Sequence, residues 1–277
     1  MATYLLHMRR RIQTYLVIPF VLAALSVNGQ FLKLDSTERK ILDEIKTVAP
    51  HYMIQNKENI IKEIEDVCRI KIDEVNIKLG DVDYAGLYEG VKDGVFSDTI
   101  VIDTNYFFYT YSALSFNSPL NEELSRKLVF LTSARGTLIH EIGHDYTYQK
   151  MYELLHKGTL HKSHAKSLKN GMYGKRDTKD LLRIRVALIN EGIARYFEDE
   201  MKELPQEYIS EWPIRKEDFY LSPFGDPVYS HGFILLKPIL DEFGVEKGIE
   251  KILENLIITK KELLKPGDYI KRILNSE

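Results

Sequence analysis

Cysteine is nearly missing from this chain: Cys68 is the only one in 277 residues. No disulfide can form within the chain and no thiolate metal site can be built, so any transition-metal centre must draw on histidine and carboxylate. A charge excess is missing as well. Lys and Arg total 38 against 41 Asp and Glu, a formal net charge of −3, and nothing in that balance marks a nucleic-acid footprint. What the chain does hold is enough apolar material, 44% of its residues, for the core of one large domain or two small ones.

The N-terminus carries Arg9-Arg10-Arg11 ahead of an uncharged stretch, Ile12 to Gln30, with its apolar heart at Tyr15 to Leu25. A basic start, a short apolar run and then small residues, with Ala24-Leu25-Ser26 as a cleavage site, is the order of a secretory signal. Residues 1–30 are therefore expected to be a signal peptide. An uncleaved membrane anchor, giving membrane association through this segment, is the next reading, and a buried helix of a cytoplasmic enzyme the third. The expected location is accordingly exported: secreted, periplasmic, or anchored with the bulk outside the cytoplasm.

From Leu34 onward the pattern is helical. Asp35 or Ser36 can cap a helix through Ile41, Leu42, Ile45 and Val48 that stops near Pro50. A second helix is expected through Ile60, Ile64, Cys68, Ile72, Val75 and Leu79, ending at Gly80. Residues 31–94 thus form a helical support. After Gly80, Gly86, Gly90 and Gly94, the runs Thr99 to Thr104 and Tyr106 to Tyr111 are β-branched and aromatic, predicting one or two strands. They are expected at the edge of a small sheet, where an extended peptide could pair.

The chemistry begins at His140-Glu141-Ile142-Gly143-His144. Four residues is nearly one helical turn, so His140 and His144 share a face and can grip one metal ion. Glu141 leans toward the open side of that ion, where it can take a proton from bound water. Leu138, Ile142 and Tyr146 form a stripe that can face a core. Gly143 is expected to admit a strand or substrate at close range. Past Met151 the tract 156–179 is basic and contains glycine, which predicts a loop or flap. His156, His161 and His164 invite a second metal site there, but a lysine-rich tract is the composition of solvated surface.

Leu181 to Met201 is helical by period, with Ile184, Ala187, Leu188, Glu191, Ala194 and Glu198 on or near one stripe. A carboxylate among apolar neighbours is costly unless something positive meets it. An Arg partner is one explanation for Glu191. A zinc ion is the better one, since two histidines leave room for a third protein ligand and a water. Gly192 and Ala194 keep this face thin, so that the two helices can approach.

The pair His140-Glu141-Ile142-Gly143-His144 and Asn190-Glu191-Gly192-Ile193-Ala194 resembles the gluzincin class of zinc metallopeptidases, which includes the thermolysin-like and aminopeptidase-like families. The resemblance runs from about Leu138 to Gly244. It implies a zincin-like α+β fold, mostly helical, with a small sheet beside the motif helix. It also implies His140, His144 and Glu191 as zinc ligands and Glu141 as general base. The metzincin pattern fits badly, because it wants Gly and His where Thr147 and Lys150 stand. The stretch between His144 and Glu191 is much longer than in the best-known gluzincins, and the basic tract 156–179 accounts for the excess. On this reading 95–204 is the core, carrying both metal helices, and 205–277 a helical C-terminal lobe.

Pro205, Pro213, Pro223 and Pro227 break 204–228 into loop and turns. Tyr229-Ser230-His231-Gly232 then opens a helix ending at Gly244, similar to the Tyr-x-x-Gly helix start of the aminopeptidase-like members. Peptide hydrolysis needs a donor for the charge that grows on the carbonyl oxygen; Tyr229 is the first candidate and His231 the second, with ordinary packing open for both. Two closing helices, Ile249 to Ile258 and Leu263 to Ile273, split at Pro266-Gly267, complete the chain. The expected activity is zinc-dependent hydrolysis of peptide or protein substrates. Hydrolysis of a non-peptide amide, and a non-enzymatic scaffold with structural zinc, are the alternatives.

Overall fold

The structure, a computed structural model, describes residues 36–80, 86–88, 91–92, 95–96, 99–103, 123–169, 181–202 and 226–276. Its first helix, α1 (Ser36–Cys68), runs through Pro50 where a stop is expected. A proline inside a helix removes one donor and crowds the turn before it. The turns beyond it are held from outside, because Met53, Ile60, Ile61 and Ile64 are buried in the core. The helix ends at Arg69, whose φ of 55° is left-handed, with Ile70 N–H reaching back to the Glu65 carbonyl at 3.3 Å, a helix-terminating turn. Glu65 also accepts from Ile72 N–H at 3.0 Å, which turns the chain out of the helix. Ile72, Val75 and Leu79 therefore lie beyond it, with Leu79 in a strand.

That strand is β1 (Asn76–Gly80), followed by β2 (Gly86–Tyr88), β3 (Val91–Lys92), β4 (Val95–Phe96) and β5 (Thr99–Asp103). β1 runs parallel to β5 with Asn76 opposite Thr99. β2 runs antiparallel to β5 with Gly86 opposite Ile102, so the order is β1-β5-β2. Thr99 to Asp103 is thus a central strand and not the expected edge. Ile100, Val101 and Ile102 are all buried, as befits a strand covered on both faces. β3 and β4 form a separate two-residue ladder. Tyr106 to Tyr111 lies outside the described residues.

The motif helix, α2 (Glu123–Lys157), is one long element. From Leu138 to Tyr148 every residue is buried, so it has no solvent face there. Around it pack α1, β2, β5, α3 (Lys162–Lys169), α4 (Leu181–Glu200) and α6 (Val245–Glu254). α4 packs most extensively on α5 (Asp226–Phe243). Gly244, at φ 76°, separates α5 from α6. A capping box of Thr259 and Glu262 opens α7 (Lys260–Leu263). Pro266 sits in the first turn of α8 (Pro266–Leu274): it starts that helix instead of splitting it, since a first-turn N–H has no helical acceptor to lose. One hydrophobic cluster runs from Met53 in α1 to Ile273 in α8. The fold is mostly helical with a small sheet against the motif helix, as expected.

The expectation of a membrane anchor and signal is corrected. Among the described residues no helix is long and apolar enough to cross a membrane, because charged residues recur along each long helix. The segment 1–30 from which that expectation arose lies outside the described residues.

Candidate metal centre

His140 and His144 stand one turn apart on α2, with their rings edge-on, centroids 4.6 Å apart and planes at 87°. α4 crosses directly over the residue between them. A Cβ on Gly143 would lie 2.8 Å from the Ala194 Cα, so the glycine admits a helix and not a strand or substrate. This approach brings Glu191 to both rings: its Oε2 lies 3.2 Å from His140 Nε2 and 3.4 Å from His144 Nε2. The three side chains are buried, and one ligand atom from each lies within 4.8 Å of the others.

These separations test whether a metal fits. Ligands about 2.0–2.1 Å from a tetrahedral zinc stand about 3.3 Å from one another, whereas a charge-assisted N–H···O bond closes to about 2.8 Å. Two ring nitrogens sharing one carboxylate oxygen at 3.2 and 3.4 Å match the edges of a coordination tetrahedron better than a pair of hydrogen bonds. The donor set, two imidazoles and a carboxylate, suits zinc. The residues fit the ion.

The second nitrogen of His140 meets another carboxylate. Its Nδ1 lies 3.2 Å from Glu198 Oε1, and the other oxygen of Glu198 takes Arg195 Nη1 at 2.5 Å. Burial disfavours charge on His140, but Glu198 and then Glu191 outweigh it and push the imidazole up to about 9. For Glu198, burial acts upward, yet His140 and Arg195 hold it below the usual carboxylate range. Glu198 lies on the stripe with Glu191, two turns further along the same face, but that spacing by itself does not separate it from a solvated charge.

Glu141 is buried beside His140, and Asn190 beside Glu191. Gly192, expected to serve the contact with α2, faces α5 instead. A Cβ there would lie 2.5 Å from both C and O of Gly232, and a Cβ on Gly232 would lie 2.2 Å from the Leu188 carbonyl. Of the two, it is Ala194 that meets Gly143 on α2. The contact of Gly192 with Gly232 sets the buried His231 on α5 one residue from the α4 crossing. Tyr229 is on α5, but its side chain lies outside the described residues.

The tract after α2 is not the expected loop: α2 continues to Lys157, and 162–169 forms α3. His164 is fully buried. His161 Nδ1 accepts from Ser163 N–H at 3.1 Å, and His156 Nδ1 contacts the Tyr152 carbonyl at 2.7 Å. Among the described residues the three do not form a metal cluster. Residues 170–179 lie outside the description. Lys150, where a metzincin would carry its third histidine, is engaged by Glu246 at 2.6 Å and Glu153 at 3.0 Å. Comparison with protein families, curated proteins and solved structures finds no match for this chain.

Proposed function

We propose that the chain is a zinc-dependent peptidase of the gluzincin kind, with His140, His144 and Glu191 as metal ligands and a peptide or protein as substrate. One observation carries the reading: Glu191 Oε2 is shared by the Nε2 atoms of both motif histidines at ligand spacing, in a buried cluster. Glu191 brings a carboxylate to two imidazoles, a donor set that suits zinc. Zinc, when bound, supplies Lewis-acid chemistry: it acidifies a water and polarises the scissile carbonyl.

The remaining work falls to the chain. Glu141 takes a proton from the attacking water as its oxygen bonds to the carbonyl carbon. It then delivers that proton to the departing nitrogen as the C–N bond breaks, leaving an amine and a carboxylic acid, which gives up its own proton to solvent. Tyr229 or His231 donates to the carbonyl oxygen as charge grows there.

The test is metal content of the full chain beside Glu191→Ala, with hydrolysis of a mixed peptide library on both. One zinc per chain, lost with Glu191→Ala together with cleavage, is expected. Wild-type protein that takes no zinc, or zinc indifferent to Glu191, rejects the reading. Zinc held by Glu191 with no peptide cleaved redirects it to non-peptide amides.

A further inference from the structure

We infer that the lysine face of α3, together with residues 256–265 beside it, is a docking surface for an acidic polypeptide segment that carries apolar residues among its carboxylates. The surface stands apart from the metal centre: α2 runs on from His144 to Lys157, about 20 Å along its axis, before the chain turns into α3. Lys162, Lys166 and Lys169 fall within about 60° of one another around α3 and are exposed, while His164 and Leu168 on the opposite side are buried. No acidic side chain occurs in 158–169. The start of α3 is stitched to the chain that follows α6. His161 N–H donates to the Leu253 carbonyl at 3.1 Å, and Ser163 Oγ accepts from Ile257 N–H at 3.1 Å.

Beyond that stitch the surface stays basic. The one acid in 255–267 is Glu262, and it is buried with Arg272 on both oxygens, at 2.7 and 3.1 Å, so its charge is spent there. Lys260, Lys261 and Lys265 are exposed. Among these lysines stand two leucines open to solvent: Leu256 is 39% exposed and Leu264 61%. The Leu256 carbonyl accepts from Arg272 Nη2 at 2.9 Å, which ties this turn to α8 as Ile257 ties it to α3. His161, at the seam, is held below the ordinary imidazole range by burial and then by Lys162 and Arg272, so positive charge reaches it from both sides. A chain of formal net charge −3 thus presents a cationic surface with leucines set into it. Its complement is a row of carboxylates with apolar side chains set among them. A flat anionic lipid surface fits less well. Glu254 and Asp268 stand exposed at the borders and would meet it, and Tyr269, the aromatic residue of α8, is buried and cannot anchor at a headgroup layer.

The experiment is fluorescence anisotropy of the full chain with a labelled peptide of Glu-Glu-Leu repeats, its intactness checked by mass spectrometry. Peptides with Gln for Glu and with Ser for Leu serve as controls, and sedimentation with phosphatidylserine vesicles runs in parallel. Wild type is expected to bind the Glu-Glu-Leu peptide, more weakly as salt rises, and both control peptides less well. Lys162→Glu/Lys166→Glu and Lys260→Glu/Lys261→Glu should each weaken binding about tenfold or more. Leu264→Ser should weaken it by less, and Lys62→Glu, on exposed α1 surface, should leave it unchanged. A pair that does not fold, as read by circular dichroism, is replaced by its Lys→Ala counterpart. Wild type that does not bind the peptide, or binding that neither lysine pair weakens, would overturn the inference. Vesicle binding that needs these lysines, with no peptide bound, would overturn it in favour of lipid. Zinc content enters none of these outcomes, so the metal reading stands or falls separately.

Discussion

Glu141 and Glu191 are both buried glutamates, and their proposed roles make them fail differently. Glu141→Gln preserves shape and removes the base, so zinc should stay bound while kcat falls by about 10²–10⁴; turnover and metal content on one preparation check this. Parallel loss of both would assign Glu141 to the metal. Cys68 is expected to be silent: burial, then the charge of Glu200, push its thiol up to about 12, so almost none is thiolate at neutral pH. Folded protein should not react with a thiol reagent until denaturant is added, and rapid labelling at pH 7 contradicts that. At this scale the centre was largely legible. The spacing of His140 and His144 puts two imidazoles on one face of any helix, and Glu191 stands out as a carboxylate on an apolar stripe. Glu198 sat on the same stripe and was indistinguishable from a solvated charge at the far end of the helix. Only the crossing with α2 shows which ring edge it meets.

The crossings of α4 depend on missing side chains. Gly143 lets α4 approach α2, and Gly192 and Gly232 let it approach α5. In an open helix Gly→Ala gains up to about 1 kcal/mol. At Gly192 the new methyl would lie 2.5 Å from backbone carbon and oxygen of Gly232, atoms that cannot rotate away. Gly192→Ala is therefore expected to reverse sign and destabilise by about 1–3 kcal/mol, lowering the thermal midpoint, whereas Gly267→Ala, with nothing within 4 Å, should gain up to about 1 kcal/mol. A Gly192→Ala midpoint at or above wild type would show that α4 and α5 can separate freely. Helix boundaries were harder to read than helices. Pro50 looks like a stop, but packing of Met53 and Ile60 beyond it carries α1 through. Ile72, Val75 and Leu79 continue a helical period that the left-handed Arg69 has already ended, and a period alone cannot register one residue of reversed φ. The tract from His156 hides its helix for a related reason: Lys157, Lys162, Lys166 and Lys169 face outward, while the buried residues are few, Leu160, His164, Ser167 and Leu168.

That short helix braces the whole molecule. His161 N–H donates to the Leu253 carbonyl at 3.1 Å and Ser163 Oγ accepts from Ile257 N–H at 3.1 Å, so α3 seals the end of α6. α6 in turn is tied to the motif helix through Glu246 and Lys150. At the joint lies His164, fully buried and hydrogen-bonded to the backbone of Ile252 and Asn255. Burial, then the charges of His161 and Arg272, outweigh those bonds and push its imidazole down to about 3. A histidine depressed in the fold is neutral there and protonates first in the unfolded chain. Its contribution is therefore complete above about pH 6.5 and is lost as pH falls from there toward 3, at about 1.4 kcal/mol per pH unit. Between pH 6.5 and pH 4 that amounts to about 3.5 kcal/mol, a large share of a total stability of about 5–15 kcal/mol. Urea midpoints of wild type and His164→Gln, taken from pH 7.5 to 4, separate this group from the carboxylates that both proteins share. His164→Gln should start less stable, having lost a shaped buried ring, and then fall less steeply, so that the two curves converge on acidification. Parallel curves would mean that His164 titrates alike in folded and unfolded chains, which a sealed joint between α3 and α6 does not allow.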